Sequence, residues 1–264
     1  EYTAKVTVRQ MIHHLSGMGD YEMTGAYEIA PGKAFRFGNE DYWTIDEFYQ
    51  RARNQPLAAA PMQRFEYSNI AYFLLSQVVE RVSGITLREF ANKELFGPLN
   101  MTATFFNDNV NGVVPHRADG YTPTNTGSFE ILMTNLDWVG DGGVYTTLND
   151  FIKWDQALKT GNIPGGMALR DLLLEPHPLT KKTMTSVLLD DGAGYGFGIE
   201  IGHFKGIPAH VHTGSWVGFR ALYARFPENN ISVMAFCNRD DLLREGDKRR
   251  ELLDLVTSKL LHRR

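Results

Sequence analysis

The stretch AHVHTGSWVGFRALYARFPENNISVMAFC, residues 209–237, decides the fold. Three segments inside it, 209–215, 220–226 and 232–237, alternate at the two-residue period of a strand, as Leu222, Ala224 and Phe226 do on one face. Pro227-Glu228-Asn229-Asn230 is a turn-rich connection of hairpin type between the last two. Residues 195–204, just upstream, read as a fourth strand, and residues 240 to about 261 as a closing helix. The spacing predicts adjacent antiparallel strands with that helix packed on one face.

Upstream of the strands the period becomes helical. Thr7 can cap a short helix through Val8, Met11, Ile12 and Leu15 that stops at Gly17, and residues 18–42, with Pro31 and scattered glycines, read as a long loop. Thr44-Ile45-Asp46-Glu47 is a capping box, in which threonine and glutamate satisfy each other's free N–H groups, and its helix runs to about Asn54. After Tyr67-Ser68-Asn69, the residues Ile70, Phe73, Leu74, Val78, Val79 and Val82 form a wide apolar stripe ending at Gly84. Thr86-Leu87-Arg88-Glu89 repeats the capping box and Gly97-Pro98 stops its helix. Residues 107–141 are irregular but carry aromatics, which argues against disorder. Thr147 or Asn149 caps a last helix before Gly161. Helices first and strands last, without βαβ alternation or an internal repeat, define an α+β fold. The organisation expected is a helix-rich region over residues 1–190, with strands and a C-terminal helix over 191–264.

Composition narrows the function. The 264 residues are 43% hydrophobic and can fill a substantial core, while a net charge of −4 gives no reason to bind nucleic acid. The longest apolar run, residues 70–82, is interrupted by Ser76, Gln77, Glu80 and Arg81, so no membrane span is expected. A lone Cys237 excludes an internal disulfide and a cysteine-rich zinc site. The chain opens on Glu1 with neither a basic start nor an apolar segment, as a processed chain or a fragment would.

Several chemistries fail on context. Gly192-Ala193-Gly194-Tyr195-Gly196-Phe197-Gly198 imitates a nucleotide loop but precedes a strand rather than opening a helix, so no helix N-terminus faces a phosphate. Ser16 and Ser215 lack the glycine two residues earlier that a nucleophile elbow needs. His210 and His212 share one strand face and His13 and His14 are adjacent, yet no carboxylate spacing completes a ligand set, so no metal and no cofactor is expected.

What remains is an ordered set: Val6-Thr7-Val8-Arg9-Gln10-Met11-Ile12-His13-His14-Leu15-Ser16-Gly17, Tyr67-Ser68-Asn69 opening an apolar helix, Leu95-Phe96-Gly97-Pro98-Leu99-Asn100-Met101, Gly142-Gly143-Val144-Tyr145-Thr146-Thr147, Gly194-Tyr195-Gly196-Phe197-Gly198 and His212-Thr213-Gly214-Ser215. In order and context this resembles the serine β-lactamase and penicillin-binding-protein-like family, in particular its class C β-lactamase, family VIII esterase and D-aminopeptidase branch. The resemblance runs from about Val6 to Asn238 and implies a β-lactamase/transpeptidase-like fold acting through an acyl-enzyme, in a periplasmic or secreted setting.

By that resemblance Tyr67 is the general base, and Asn69 hydrogen-bonds the nucleophile's lysine and the substrate carbonyl. Taken alone, the triplet reads rather as Ser68 or Asn69 capping a helix beside a half-buried packing tyrosine, and the rest of the pattern reverses that reading. His212-Thr213-Gly214 stands where much of the family has Lys-Thr-Gly; Gly214 lets substrate approach the strand edge, and the Ser215 N–H is one of two oxyanion donors. Histidine is mostly neutral near pH 7, so His212 attracts a carboxylate less than lysine does, which shifts the expectation from β-lactams to esters or peptides. The family's Ser-x-x-Lys is absent: no serine here has lysine three positions later. In relatives it lies upstream of the match to residues 6–17, together with the first strands of the sheet. The chain therefore reads as an incomplete β-lactamase-like domain, inactive alone. Two functions stand: part of a serine hydrolase for a small ester, amide or lactam, or a noncatalytic binding protein of the same fold that recognises a peptide or carboxylate. Oligomeric state has no sequence signal.

Overall fold

The computed structural model describes residues 5–23, 33–37, 42–241 and 246–260. In chain order its elements are α1 (Val8–Ile12), β1 (Asp20–Met23), β2 (Lys33–Phe37), α2 (Ile45–Ala52), α3 (Asn69–Ser83), α4 (Leu87–Ala91), β3 (Phe105–Phe106), β4 (Tyr121–Pro123), β5 (Phe129–Ile131), β6 (Val144–Tyr145), α5 (Leu148–Thr160), α6 (Gly166–Leu173), α7 (Thr180–Thr183), β7 (Gly194–Tyr195), β8 (Glu200–Phe204), β9 (Ile207–Trp216), β10 (Phe219–Phe226), β11 (Ile231–Cys237) and α8 (Gly246–Leu260). They fall into two compact units: Glu1–Asn111 with Asn135–Met184 and Gly194–Gly198, and Gly112–Thr134 with Thr185–Ala193 and Ile199–Arg264.

The first unit is built on caps that are legible one turn at a time. Thr7, Thr44 and Thr86 each close a reciprocal box, with Gln10, Glu47 and Glu89 respectively. Ser68 caps α3, accepting the Ala71 N–H at 3.1 Å, and Gly84 ends that helix at φ +75°. Beyond α4 the chain continues through a π-helical turn, Asn92–Phe96, before Gly97. Phe48 stacks on Trp138 at 4.0 Å and meets Phe73 edge-on at 4.6 Å, and Phe48 and Phe73 are both fully buried. Each such ring contributes about 1.5–3 kcal/mol by leaving water, so this triad anchors α2 and α3.

Two features depart from the sequence reading. The supposed loop over residues 18–42 contains β1 and β2, paired in parallel with Asp20 opposite Lys33 and Met23 opposite Phe37. Two strands this short show no period of their own and are defined only by their pairing. Helix α6 also carried no signal, because Gly165, in the left-handed region at φ +94°, stands at its N-cap and offers no side-chain hydrogen bond.

The second unit holds the antiparallel run β11-β10-β9-β8. Ala224 sits opposite Val233 on one side and Val211 on the other, and Gly202 opposite Ala209. The three strands expected over 209–237 lie inside β9, β10 and β11. Helix α8 lies against them: Leu253 is fully buried, Arg250 donates to the Leu188 carbonyl at 2.8 Å, and Lys205 pairs with Asp254 at 2.6 Å. It starts later than the sequence suggested. Asp240 instead donates its N–H to the Tyr121 carbonyl at 3.0 Å, tying it to β4, and residues 242–245 lie outside the described set. No single described helix is long and apolar enough to cross a membrane.

Candidate active site

Tyr67 stands at the mouth of α3, 42% exposed, immediately before the fully buried cap Ser68. The approach to that mouth is fixed by close backbone contact between residues 14–17 and 58–66. Gly17 accepts the Ala58 N–H at 2.8 Å, Leu15 the Met62 N–H at 2.8 Å and His14 the Glu66 N–H at 2.8 Å. At Gly17, φ is +72° and a Cβ would lie 2.1 Å from the Ala59 carbonyl oxygen, so only glycine admits the crossing. The Tyr67 ring lies 4.1 Å from the His14 ring at 32°, and the Tyr195 ring stands edge-on at 6.4 Å. Ser68 is committed twice: its Oγ accepts the Ala71 N–H and donates to the Gly19 carbonyl at 2.8 Å.

Asn69 is held by a residue that sequence reading passed over. Asp20, 7% exposed, accepts the Asn69 backbone N–H at 3.0 Å and its Nδ2 at 2.9 Å. A carboxylate accepts and never donates, so the amide nitrogen must face Asp20 and Oδ1 is turned outward as an acceptor. No local pattern points to Asp20, which lies 49 positions from its partner. Beyond it, Tyr21 donates its hydroxyl to Asp141, and burial raises the Asp141 carboxyl to about 6 and the Tyr21 phenol well above its usual value. His13, also buried, bonds the Tyr195 carbonyl through Nδ1 at 2.9 Å, and burial lowers its pKa. The glycine-rich stretch over 192–198 thus supplies a strand residue, Tyr195, that grips His13.

In the second unit, His212, Thr213, Gly214 and Ser215 occupy consecutive positions on β9, opposite Tyr223, Leu222, Ala221 and Arg220 of β10. Pairing with β8 ends at Val211, opposite Glu200, so these four residues lie past the end of the β8–β9 ladder. His212 is half-buried, and burial lowers its pKa, which keeps the ring neutral near pH 7. A Cβ on Gly214 would come within 3.2 Å of the Ala221 Cβ, so the glycine also serves strand packing. Its carbonyl accepts from Arg249 of α8 at 3.4 Å. Ser215 is exposed, whereas Ser16 and Ser68 are fully buried and cannot reach a substrate. Among the described residues, no three His, Cys, Asp or Glu side chains gather where they could hold a metal ion.

The structure therefore keeps Tyr67 with Asn69 in one unit and the four β9 residues together in the other. Helices on capping boxes and an antiparallel sheet backed by a helix make an α+β fold, and its likeness to solved structures shows it to be of the β-lactamase/transpeptidase type. The chain belongs to the Beta-lactamase family, which residues 1–258 match. Among its relatives are a D-aminopeptidase of Gluconobacter oxydans (strain 621H), 23% identical over 86% of this chain and 40% of the relative, and penicillin-binding protein 4* of Bacillus subtilis (strain 168), 26% identical over 89% and 52%. The chain thus spans about half the length, or less, of these curated relatives. Solved structures of the same fold include a penicillin-binding protein from Bacillus halodurans, with TM-score 0.76 and 23% identity over 97% of this chain and 74% of that one. A D-amino acid amidase from Ochrobactrum anthropi SV3 matches with TM-score 0.70 and 17% identity over 96% and 73%.

Proposed function

We propose that these residues are part of a serine hydrolase that cleaves a small ester or an amide, including peptides, through an acyl-enzyme, with the nucleophile and its lysine supplied by a Ser-x-x-Lys outside residues 1–264. Tyr67 takes the proton of the attacking serine hydroxyl as its oxygen bonds the substrate carbonyl carbon, and returns it to the leaving group. Asn69 Oδ1 accepts from the lysine ammonium. The Ser215 N–H and the nucleophile's own N–H stabilise the oxyanion, and water then attacks the acyl-serine to release the acid. The assignment of both groups of residues to one reaction rests on family membership and the order of the motifs.

The observation that carries this reading is the Asp20–Asn69 contact, which fixes the amide so that its oxygen is presented. Relatives named D-aminopeptidase support an amide or peptide substrate, and a neutral His212 argues against dependence on a substrate carboxylate. Labelling the full-length gene product with a fluorophosphonate or a fluorescent penicillin, then mapping the modified residue, tests it. The modified residue is expected to be the serine of a Ser-x-x-Lys; labelling on Ser215 would overturn the assignment. Residues 1–264 alone are expected to hydrolyse p-nitrophenyl esters and nitrocefin no faster than their Tyr67→Phe variant.

A second reading, a noncatalytic protein that binds a peptide or carboxylate, is favoured by one fact: no serine in the chain has lysine three positions later. Full-length product that binds such ligands without labelling or turnover would establish it.

A further inference from the structure

We propose that His14 is a positioning residue for Tyr67, gripping the backbone on both sides of the tyrosine and bracing its ring; the catalytic consequence rests on the hydrolase reading above. Three contacts build the clamp. The His14 carbonyl accepts the Glu66 N–H at 2.8 Å, its Nδ1 accepts the Ser68 N–H at 3.1 Å, and its ring face lies against the Tyr67 ring at 4.1 Å and 32°. Residues 66, 67 and 68 are therefore each held by one residue of a segment far away in the chain.

The imidazole is itself locked. It is 1% exposed, with Tyr72 at 4.9 Å and tilted by 35°, Tyr195 at 4.7 Å and Phe65 at 5.6 Å. It cannot turn without displacing several rings. Its backbone sits at φ +54°, in the left-handed region that a side chain disfavours and glycine takes freely. What the position gains from a histidine is the ring. Imidazole offers an acceptor in the ring plane and an aromatic face perpendicular to it, which is what Ser68 N–H and the Tyr67 ring require at once. Phenylalanine keeps the face and loses the acceptor, whereas asparagine keeps an acceptor near Nδ1 and loses the face. Tyr67 is 42% exposed, so part of its side chain faces solvent where a substrate can reach it. A base misplaced by about 1 Å costs on the order of 100-fold in rate.

The test uses the full-length gene product carrying tyrosine labelled with carbon-13 at Cζ, with the Tyr67 signal assigned through Tyr67→Phe. His14→Asn and His14→Phe are each expected to shift or broaden that signal and to lower kcat for a p-nitrophenyl ester about 10- to 100-fold, with KM moving less than about threefold. A folded variant that keeps the Tyr67 signal unmoved overturns the clamp, whatever its rate. A moved signal with kcat within about twofold of the parent overturns the positioning role. If His14→Phe fails to fold because the Ser68 N–H is stranded, His14→Asn decides. Absence of turnover in the parent protein sinks the hydrolase reading, and the tyrosine signal still decides the clamp.

Discussion

The carboxylate of Asp20 accepts both amide groups of Asn69, the backbone N–H at 3.0 Å and Nδ2 at 2.9 Å, and takes the Tyr21 N–H at 3.0 Å as well. Asn69 is the first residue of α3, so Asp20 serves that helix as a second cap supplied from a strand, beside the partial positive charge of the helix N-terminus.

Replacing Asp20 by asparagine therefore has a directional outcome. The new amide keeps one oxygen for the backbone N–H groups and turns its NH2 towards Asn69, which must flip and present its own NH2 outward. A donor then faces the lysine ammonium. Asp20→Asn in the full-length protein is expected to fold and to lose kcat on the order of 100-fold. Asp20→Ala strands N–H groups and is expected to cost about 3 kcal/mol in urea unfolding.

Ser68→Ala removes the cap of α3 and the bond to the Gly19 carbonyl. The expected cost is about 2 kcal/mol, read as a lower urea midpoint at unchanged slope. Labelling by a serine probe should persist in this variant, because Ser68 is fully buried.

His212→Lys in the full-length protein places a permanent positive charge on β9. Because burial keeps His212 neutral, the gain should be specific to anionic substrates. KM for nitrocefin is expected to fall about threefold or more, while KM for a neutral p-nitrophenyl ester stays within about twofold. Parallel shifts in both would mean that charge at this position does not select substrate.

Acid stability has a readable sign. Burial, aided by the Arg225 charge, lowers His210 from 6.5 to about 4, so the unfolded chain takes up this proton first. The contribution of His210 is complete above about pH 6.5 and is lost as pH falls towards about 4, and the lowered His13 and His212 act in the same sense. Asp141, raised to about 6, works the other way: its contribution is present below the ordinary carboxylate range and is lost as pH rises through about 6. The difference between parent and His210→Gln isolates one group. The variant should lose less stability across that window, by up to about 3 kcal/mol, in urea titrations at each pH.

The division between what the sequence states and what it conceals follows range. Thr44 and Glu47 stand three residues apart, so their box is visible in four letters, and the alternation of Leu222, Ala224 and Phe226 is written within one strand. Tyr67-Ser68-Asn69 takes its meaning only from its place in the ordered set of motifs, since the triplet alone also describes a helix cap. Asp20 and His14 escaped because each acts on a partner 49 or 54 positions away, and an aspartate in a glycine-rich segment or the second of two histidines has no period to announce it.

The His13–Tyr195 bond spans 182 positions, and Tyr195 also packs against the His14 ring. Closing a loop of that length is slow compared with forming α3 on its own cap. During synthesis the mouth of α3 must therefore wait for the segment that follows α7 before its aromatic surroundings are complete, and until then the rings around His14 are exposed to water. Substitutions around Tyr195 should accordingly show themselves first as lower yield of folded protein, because the interval before closure is when chaperones and proteases meet an unfinished surface.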